Sequence, residues 1–156
     1  RTARIWSGGE CVALLRGHSK AVRKVRFCKL PFLLATCSED CTAKLWRLAE
    51  RRRRTGVEEA ECYLTLKGHT APVNDVAFDK DASAVATVSS DTTIQLWRTP
   101  DGHNLRKLTG QGSEVLSVAF SPSGTYIATG TRRGFKLWGV VPKGSKPGMF
   151  APSAAR

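Results

Sequence analysis

The chain has 156 residues, is 41% hydrophobic and carries a net charge of +12. No apolar run approaches the ~20 residues of a membrane-spanning helix and no secretory signal is evident, so a soluble protein is expected. Its five cysteines, at positions 11, 28, 37, 41 and 62, form no CxxC pair and have no histidine at zinc-ligand spacing. That pattern indicates neither a disulfide framework nor a metal site, and reads as reduced thiols in an intracellular protein, cytoplasmic or nuclear.

The predicted elements are short β-branched and apolar runs broken by Gly, Pro, Asp and Ser, hence strands. ARIW ends the first at Trp6, and CVALL (11–15) follows. A unit then runs GHSKAVRKVRF, FLLATCSED and CTAKLW to Trp46. After it come an insertion, RRRRTGVEEAE (51–61), and CYLTL (62–66). The second unit runs GHTAPVNDVAF, SAVATVSSD and TTIQLW to Trp97. His103 sits in the turn TPDGHN, where it is expected to be exposed, and LRKL (105–108) follows. The third unit runs GQGSEVLSVAF, YIATGTR and RGFKLW to Trp138. The remainder, rich in Pro, Gly, Ala and Ser, reads as a tail or linker.

Trp6, Trp46, Trp97 and Trp138 lie 40, 51 and 41 residues apart, and the long interval holds the insertion. Self-similarity at about 40 residues marks a repeat architecture. Gly17 to Val22, Gly68 to Val73 and Gly110 to Val115 are each five apart, and His18 to Asp40 and His69 to Asp91 are both 22 apart. Each Asp stands six residues before its Trp.

This GH…D…W pattern resembles the WD40-repeat β-propeller family over nearly the whole chain up to Trp138. The resemblance implies an all-β fold of four-stranded antiparallel blades packed round a channel, here an open arc of a larger propeller. The expected division is a partial blade (1–16, strands c and d), two complete blades (17–67, with the basic insertion 51–61, and 68–109), and a partial blade (110–139, strands a to c). A tail, 140–156, completes the chain. Because it starts at Arg1 inside a repeat phrase, it is expected to be a piece of something longer, with the remaining blades from the same or another chain. No Asp follows any of the four tryptophans. Counted back from Trp138, the last repeat has Gly130 for Ser and Arg132 for Asp, and Gln111 replaces His.

A repeated His, Ser and Asp argues against a hydrolase, which needs one nucleophile rather than one per unit. The resemblance instead implies two structural hydrogen-bond tetrads: His18, Ser38, Asp40, Trp46 and His69, Ser89, Asp91, Trp97. A buried Asp is tolerable only with its oxygens paired. No catalytic motif, cofactor or metal is indicated, so no enzyme is expected.

The resemblance also places partner contacts just after each His and just before each turn Asp. These are Lys20, Ala21 and Glu39; Ala71, Pro72 and Ser90; and Ser113, Glu114 and Thr131, with Arg132 and Arg133 beside them. Residues 1–54 hold 14 Lys and Arg against four acids, a balance of +10, whereas residues 55–156 hold 11 against nine, +2. Two basic groups, Arg23, Lys24 and Arg26 on a strand and Arg51, Arg52, Arg53 and Arg54 in the insertion, are candidate polyanion contacts. The bland alternative for the arginine run is a solvated loop neutralised by Glu58, Glu59 and Glu61. The expected function is a non-enzymatic protein-interaction scaffold in a larger complex, binding other proteins, acidic surfaces among them. The alternative is an RNA-associated propeller subunit of a ribonucleoprotein, in ribosome assembly or splicing.

Overall fold

The computed structural model describes residues 1–30, 33–48 and 57–140. Arg51 to Arg54 and the tail beyond Val140 lie outside these residues. Fourteen strands form four sheets among the described residues. The first sheet holds β1 (Thr2–Ser7) and β2 (Glu10–Arg16). The second orders β3 (Val22–Phe27), β4 (Leu33–Ser38), β5 (Thr42–Arg47) and β7 (Glu61–Lys67). The third holds β8 (Val73–Phe78), β9 (Ala84–Ser89), β10 (Ile94–Arg98) and β11 (Asn104–Leu108). The fourth holds β12 (Val115–Phe120), β13 (Tyr126–Thr131) and β14 (Gly134–Gly139).

Consecutive strands within each sheet pair antiparallel, as their short turn-bounded runs require. The exception is a two-residue strand, β6 (Glu58–Glu59), which leaves the insertion and pairs parallel to β2 of the preceding sheet. Ala60 N–H continues the contact by donating to Leu14 O at 3.1 Å. The acidic half of the insertion therefore covers the outer edge of the first sheet, which composition alone did not indicate.

The core lies between the sheets. Leu15, Leu34 and Trp46 fill the first gap, with Ala3, Ile5, Leu48 and Ala60 against them. Leu45, Leu66, Val73, Val76, Val85 and Trp97 fill the second, and Leu96, Leu108, Val115, Ile127 and Trp138 the third. Each later tryptophan thus plugs the layer towards the sheet before it, and is at most 4% exposed. Trp6, with no sheet before it, is 59% exposed. The arrangement is part of a propeller, and it is not closed.

Candidate functional site

Within the second sheet, a hydrogen-bonded chain crosses from a loop to a tryptophan. His18 Nδ1 lies 2.8 Å from Asp40 Oδ2, and His18 Nε2 lies 2.7 Å from Thr36 Oγ1. Trp46 Nε1–H donates to that same hydroxyl at 2.8 Å. The third sheet repeats it: His69 to Asp91 at 2.8 Å, His69 to Thr87 at 2.8 Å, and Trp97 Nε1–H to Thr87 at 2.8 Å. The bridging hydroxyl is therefore Thr36 or Thr87, not Ser38 or Ser89. Positions two apart share one side of a strand, so the period-two pattern did not distinguish them. Ser38 and Ser89 accept the turn N–H of Asp40 and Asp91 instead, at 3.1 and 3.0 Å.

Asp40 also accepts from the N–H groups of Ser19 and Thr42, both at 3.0 Å, and from the Thr42 hydroxyl at 2.6 Å. Burial works to raise the Asp40 pKa, but the bonds from Thr42, His18 and Ser19 outweigh it and hold the group at about 2. Asp91 sits at about 2 as well, through Thr93, Thr70 and His69 acting against burial. Burial lowers the pKa of His18 and His69, and the hydrogen bond to Asp only partly opposes it. Each pair is thus a neutral imidazole donating to a carboxylate. With the aspartate bonds spent on this chain, the arrangement holds a turn and leaves no free nucleophile–base pair.

The fourth sheet departs from this pattern. Trp138 Nε1–H and Gln111 Nε2–H both donate to Thr129 Oγ1, at 2.9 and 2.8 Å. Counting back from Trp138 put Arg132 at the Asp position. The structure puts Arg133 there, because Arg133 N–H donates to Thr131 Oγ1 at 3.1 Å as Asp40 N–H does to Ser38. The hairpin here is one residue shorter, with Thr131 paired to Gly134. The missing position corresponds to Cys41 and Thr92, the two left-handed turn residues at φ 67° and 68°.

The predicted partner positions fall into neighbouring pairs on one edge of the sheets. Glu39 N–H donates to Ala21 O, and Ser90 N–H to Pro72 O, both at 3.0 Å. Val115, next to Glu114, pairs with Thr131. Lys20, Glu114, Arg132 and Arg133 are exposed. His103 is exposed in its turn.

Among the basic strand residues, Arg23 binds Glu39 (3.1 Å) and donates to Asn74 Oδ1 at 2.6 Å, while Arg26 lies 3.6 Å from Asp75. Both are directed to residues of this chain, and Lys24 is exposed between them. Sequence reading missed the acceptors. Asn74 also donates to Val115 O at 2.8 Å, and Asp75 accepts Val118 N–H at 3.2 Å. The adjacent Asn-Asp pair therefore links the second, third and fourth sheets. Its only signal was a polar pair on a strand that is otherwise apolar. Among the described residues, no three His, Cys, Asp or Glu side chains gather as metal ligands would.

Comparison with known proteins follows the same repeat. The WD domain, G-beta repeat family model matches residues 9–47, 60–98 and 102–138. The chain is 34% identical over 131 residues to the nuclear distribution protein nudF of Aspergillus flavus, covering 81% of this chain and 27% of that protein. It is 33% identical over 137 residues to pre-mRNA-processing factor 19 of Oryza sativa subsp. japonica, covering 85% of this chain and 24% of that one. A third relative, the ribosome biogenesis protein WDR12 homolog of Trichoplax adhaerens, is 35% identical over 102 residues, covering 63% and 22%. The chain thus spans about a quarter of the length of these relatives. With three matched repeats, each supplying the last strand of one sheet and the first three strands of the next, it belongs to the WD40 repeat family.

Proposed function

We propose that the chain is a non-enzymatic scaffold, holding protein partners through the loop edge that carries Lys20, Glu39, Ser90, Glu114 and Arg132. One observation carries this reading. The repeated His, Thr, Asp and Trp side chains are buried and bonded to one another, whereas the residues beside them on the same loops are exposed (Lys20, Glu114, Arg132) or partly exposed (Glu39, Ser90) and chemically varied. The strands are committed to packing, so recognition falls to the loops. Affinity capture with the whole chain, followed by identification of bound proteins, tests it. Partners are expected to be lost from a Lys20→Glu/Arg132→Glu variant that melts like the parent. Partner sets identical for the two would overturn the reading.

A second reading, an RNA-associated subunit of a ribonucleoprotein, is favoured by the +10 balance of residues 1–54 and by relatives named for pre-mRNA processing and ribosome biogenesis. Phosphate binding is steeply salt-dependent, with a logarithmic slope of about −0.7 per phosphate for single strands. Replacing Arg51 to Arg54 with Ser should flatten that slope and leave melting unchanged. Absence of RNA affinity in filter binding at low salt would end this reading and assign the charge to acidic protein surfaces.

A further inference from the structure

The fourth sheet keeps the buried half of the repeated network and replaces the other half. In the second and third sheets donation runs in one direction: tryptophan N–H to threonine, threonine O–H to imidazole Nε2, imidazole Nδ1–H to carboxylate. In the fourth, Gln111 occupies the histidine place, 92% buried at 8% exposure, with one end of its amide on Thr129. Its other end, where the imidazole would meet the aspartate, is buried and unpartnered. Rotating that amide by half a turn lets Thr129 donate to Oε1 and turns Nε2–H outward, restoring the direction of donation in the other sheets. Two residues on, the Ser113 hydroxyl is also buried and unpartnered. The Val115–Thr131 pairing sets this loop beside the Arg132–Arg133 turn. Both arginines are exposed, and no acid pairs with either among the described residues.

The free end of the Gln111 amide and the Arg133 position therefore stand where the imidazole and the aspartate meet in the other two sheets, with the Ser113 hydroxyl and Arg132 on the adjoining positions of the same two loops. We propose that Gln111, Ser113, Arg132 and Arg133 form a receptor for a single carboxylate, an Asp or Glu side chain presented by a bound protein. The partner's acid completes in trans the network that the other two sheets complete in cis. The inference rests on the scaffold reading, and names the chemistry that one stretch of its loop edge selects. Glu114, exposed on the same loop, is the one opposing charge there, against two arginines. An Asp or Glu is favoured over a phosphate because the internal precedent, Asp40, is a carboxylate that accepts from an imidazole and from short hydroxyl and amide donors.

The test is nuclear magnetic resonance of the intact chain, following the Gln111 side-chain amide and the Arg133 guanidinium. Three probes are titrated: N-acetylglutamate amide, its uncharged glutamine counterpart and inorganic phosphate. The glutamate probe should shift both signals and the glutamine probe neither. Arg132→Ser/Arg133→Ser, confined to an exposed turn, should weaken the response about tenfold or more. Arg133→Asp should supply the carboxylate in cis, raise the melting temperature and abolish the response. No shift with the glutamate probe, an equal shift with glutamine, tighter binding of phosphate, or a response that survives Arg133→Asp would each overturn the proposal. Loss of the probe response with protein partners still captured through Lys20 and Arg132 would overturn this site alone. Loss of partner dependence on the loop edge would overturn the scaffold reading itself.

Discussion

Asn74 Nδ2 donates to the carbonyl of Val115 at 2.8 Å, joining the inner strand of the third sheet to that of the fourth, while Asn74 Oδ1 accepts from Arg23 of the second. One side chain, 8% exposed, thus holds three sheets in register. Asn74→Ala removes these bonds and strands a carbonyl, so a loss of about 2–3 kcal/mol is expected. Arg23→Ala, which removes a cation whose side chain is 39% exposed, should cost under about 1 kcal/mol. Denaturant melts of the two variants, showing equal losses, would overturn the hub role of Asn74.

The network makes a second ordering. Thr87→Val strips the hydroxyl that Trp97 and His69 share, and about 2–3 kcal/mol should be lost. Ser89→Ala removes a bond to Ala71 O and a turn cap, for about 1 kcal/mol. His69→Ala should cost about 1–3 kcal/mol, leaving Asp91 short of a donor, and Gln111→Ala less, since its amide already has one unpartnered end. A larger loss for Ser89→Ala than for Thr87→Val, by chemical denaturation, would return the bridging role to the serine.

Acid should destabilise the fold in two steps of the same sign. Folding lowers the pKa of His18 and His69 below 6.5, so the unfolded chain takes the proton first and stability falls as pH drops through that value. Asp40 and Asp91, at about 2 against an ordinary 3.8, contribute stability above 3.8 that is lost as pH falls towards 2. Melting temperatures measured from about pH 8 down to about pH 2 should show both steps. His18→Gln/His69→Gln should flatten the upper one, and an unchanged upper step would show that other groups carry it.

Large apolar side chains are exposed on the second sheet and on the fourth, the last of the described sheets. Phe27 is 65% exposed on β3 and Phe135 71% on β14, with Leu116 and Leu137 also exposed on the fourth sheet. Residues 1–156 alone should therefore associate with increasing concentration, and Phe27→Glu/Phe135→Glu should reduce it. A monodisperse monomer by sedimentation, melting cooperatively over a tenfold or so range of concentration, would contradict this.

Much of this was legible because a repeat reports itself several times. Four tryptophans at matched offsets place the strands, and the Gly-His dipeptides place the loops. The bridging threonine was not legible, because Thr36 and Ser38 are both small, hydroxylated and on one side of β4. The Asn74–Asp75 link was hidden for another reason. Its partners, Val115 O and Val118 N–H, are backbone groups some 40 residues away, and no residue type marks them. The shift from Arg132 to Arg133 came from a hairpin one residue short, which a count from the tryptophan absorbs on the wrong side of the turn.

The parallel pairing of β6 with β2 imposes an order of events during synthesis. The outer edge of the first sheet is finished by residues made later, after three strands of the second sheet. While the ribosome adds the 43 residues from Gly17 to Glu59, that edge has no partner of its own. At the usual rate of about 5–20 residues per second, the interval lasts roughly 2–9 s. A nascent-chain chaperone that holds extended strands would find its target in that window, and lose it when Glu58 and Glu59 emerge.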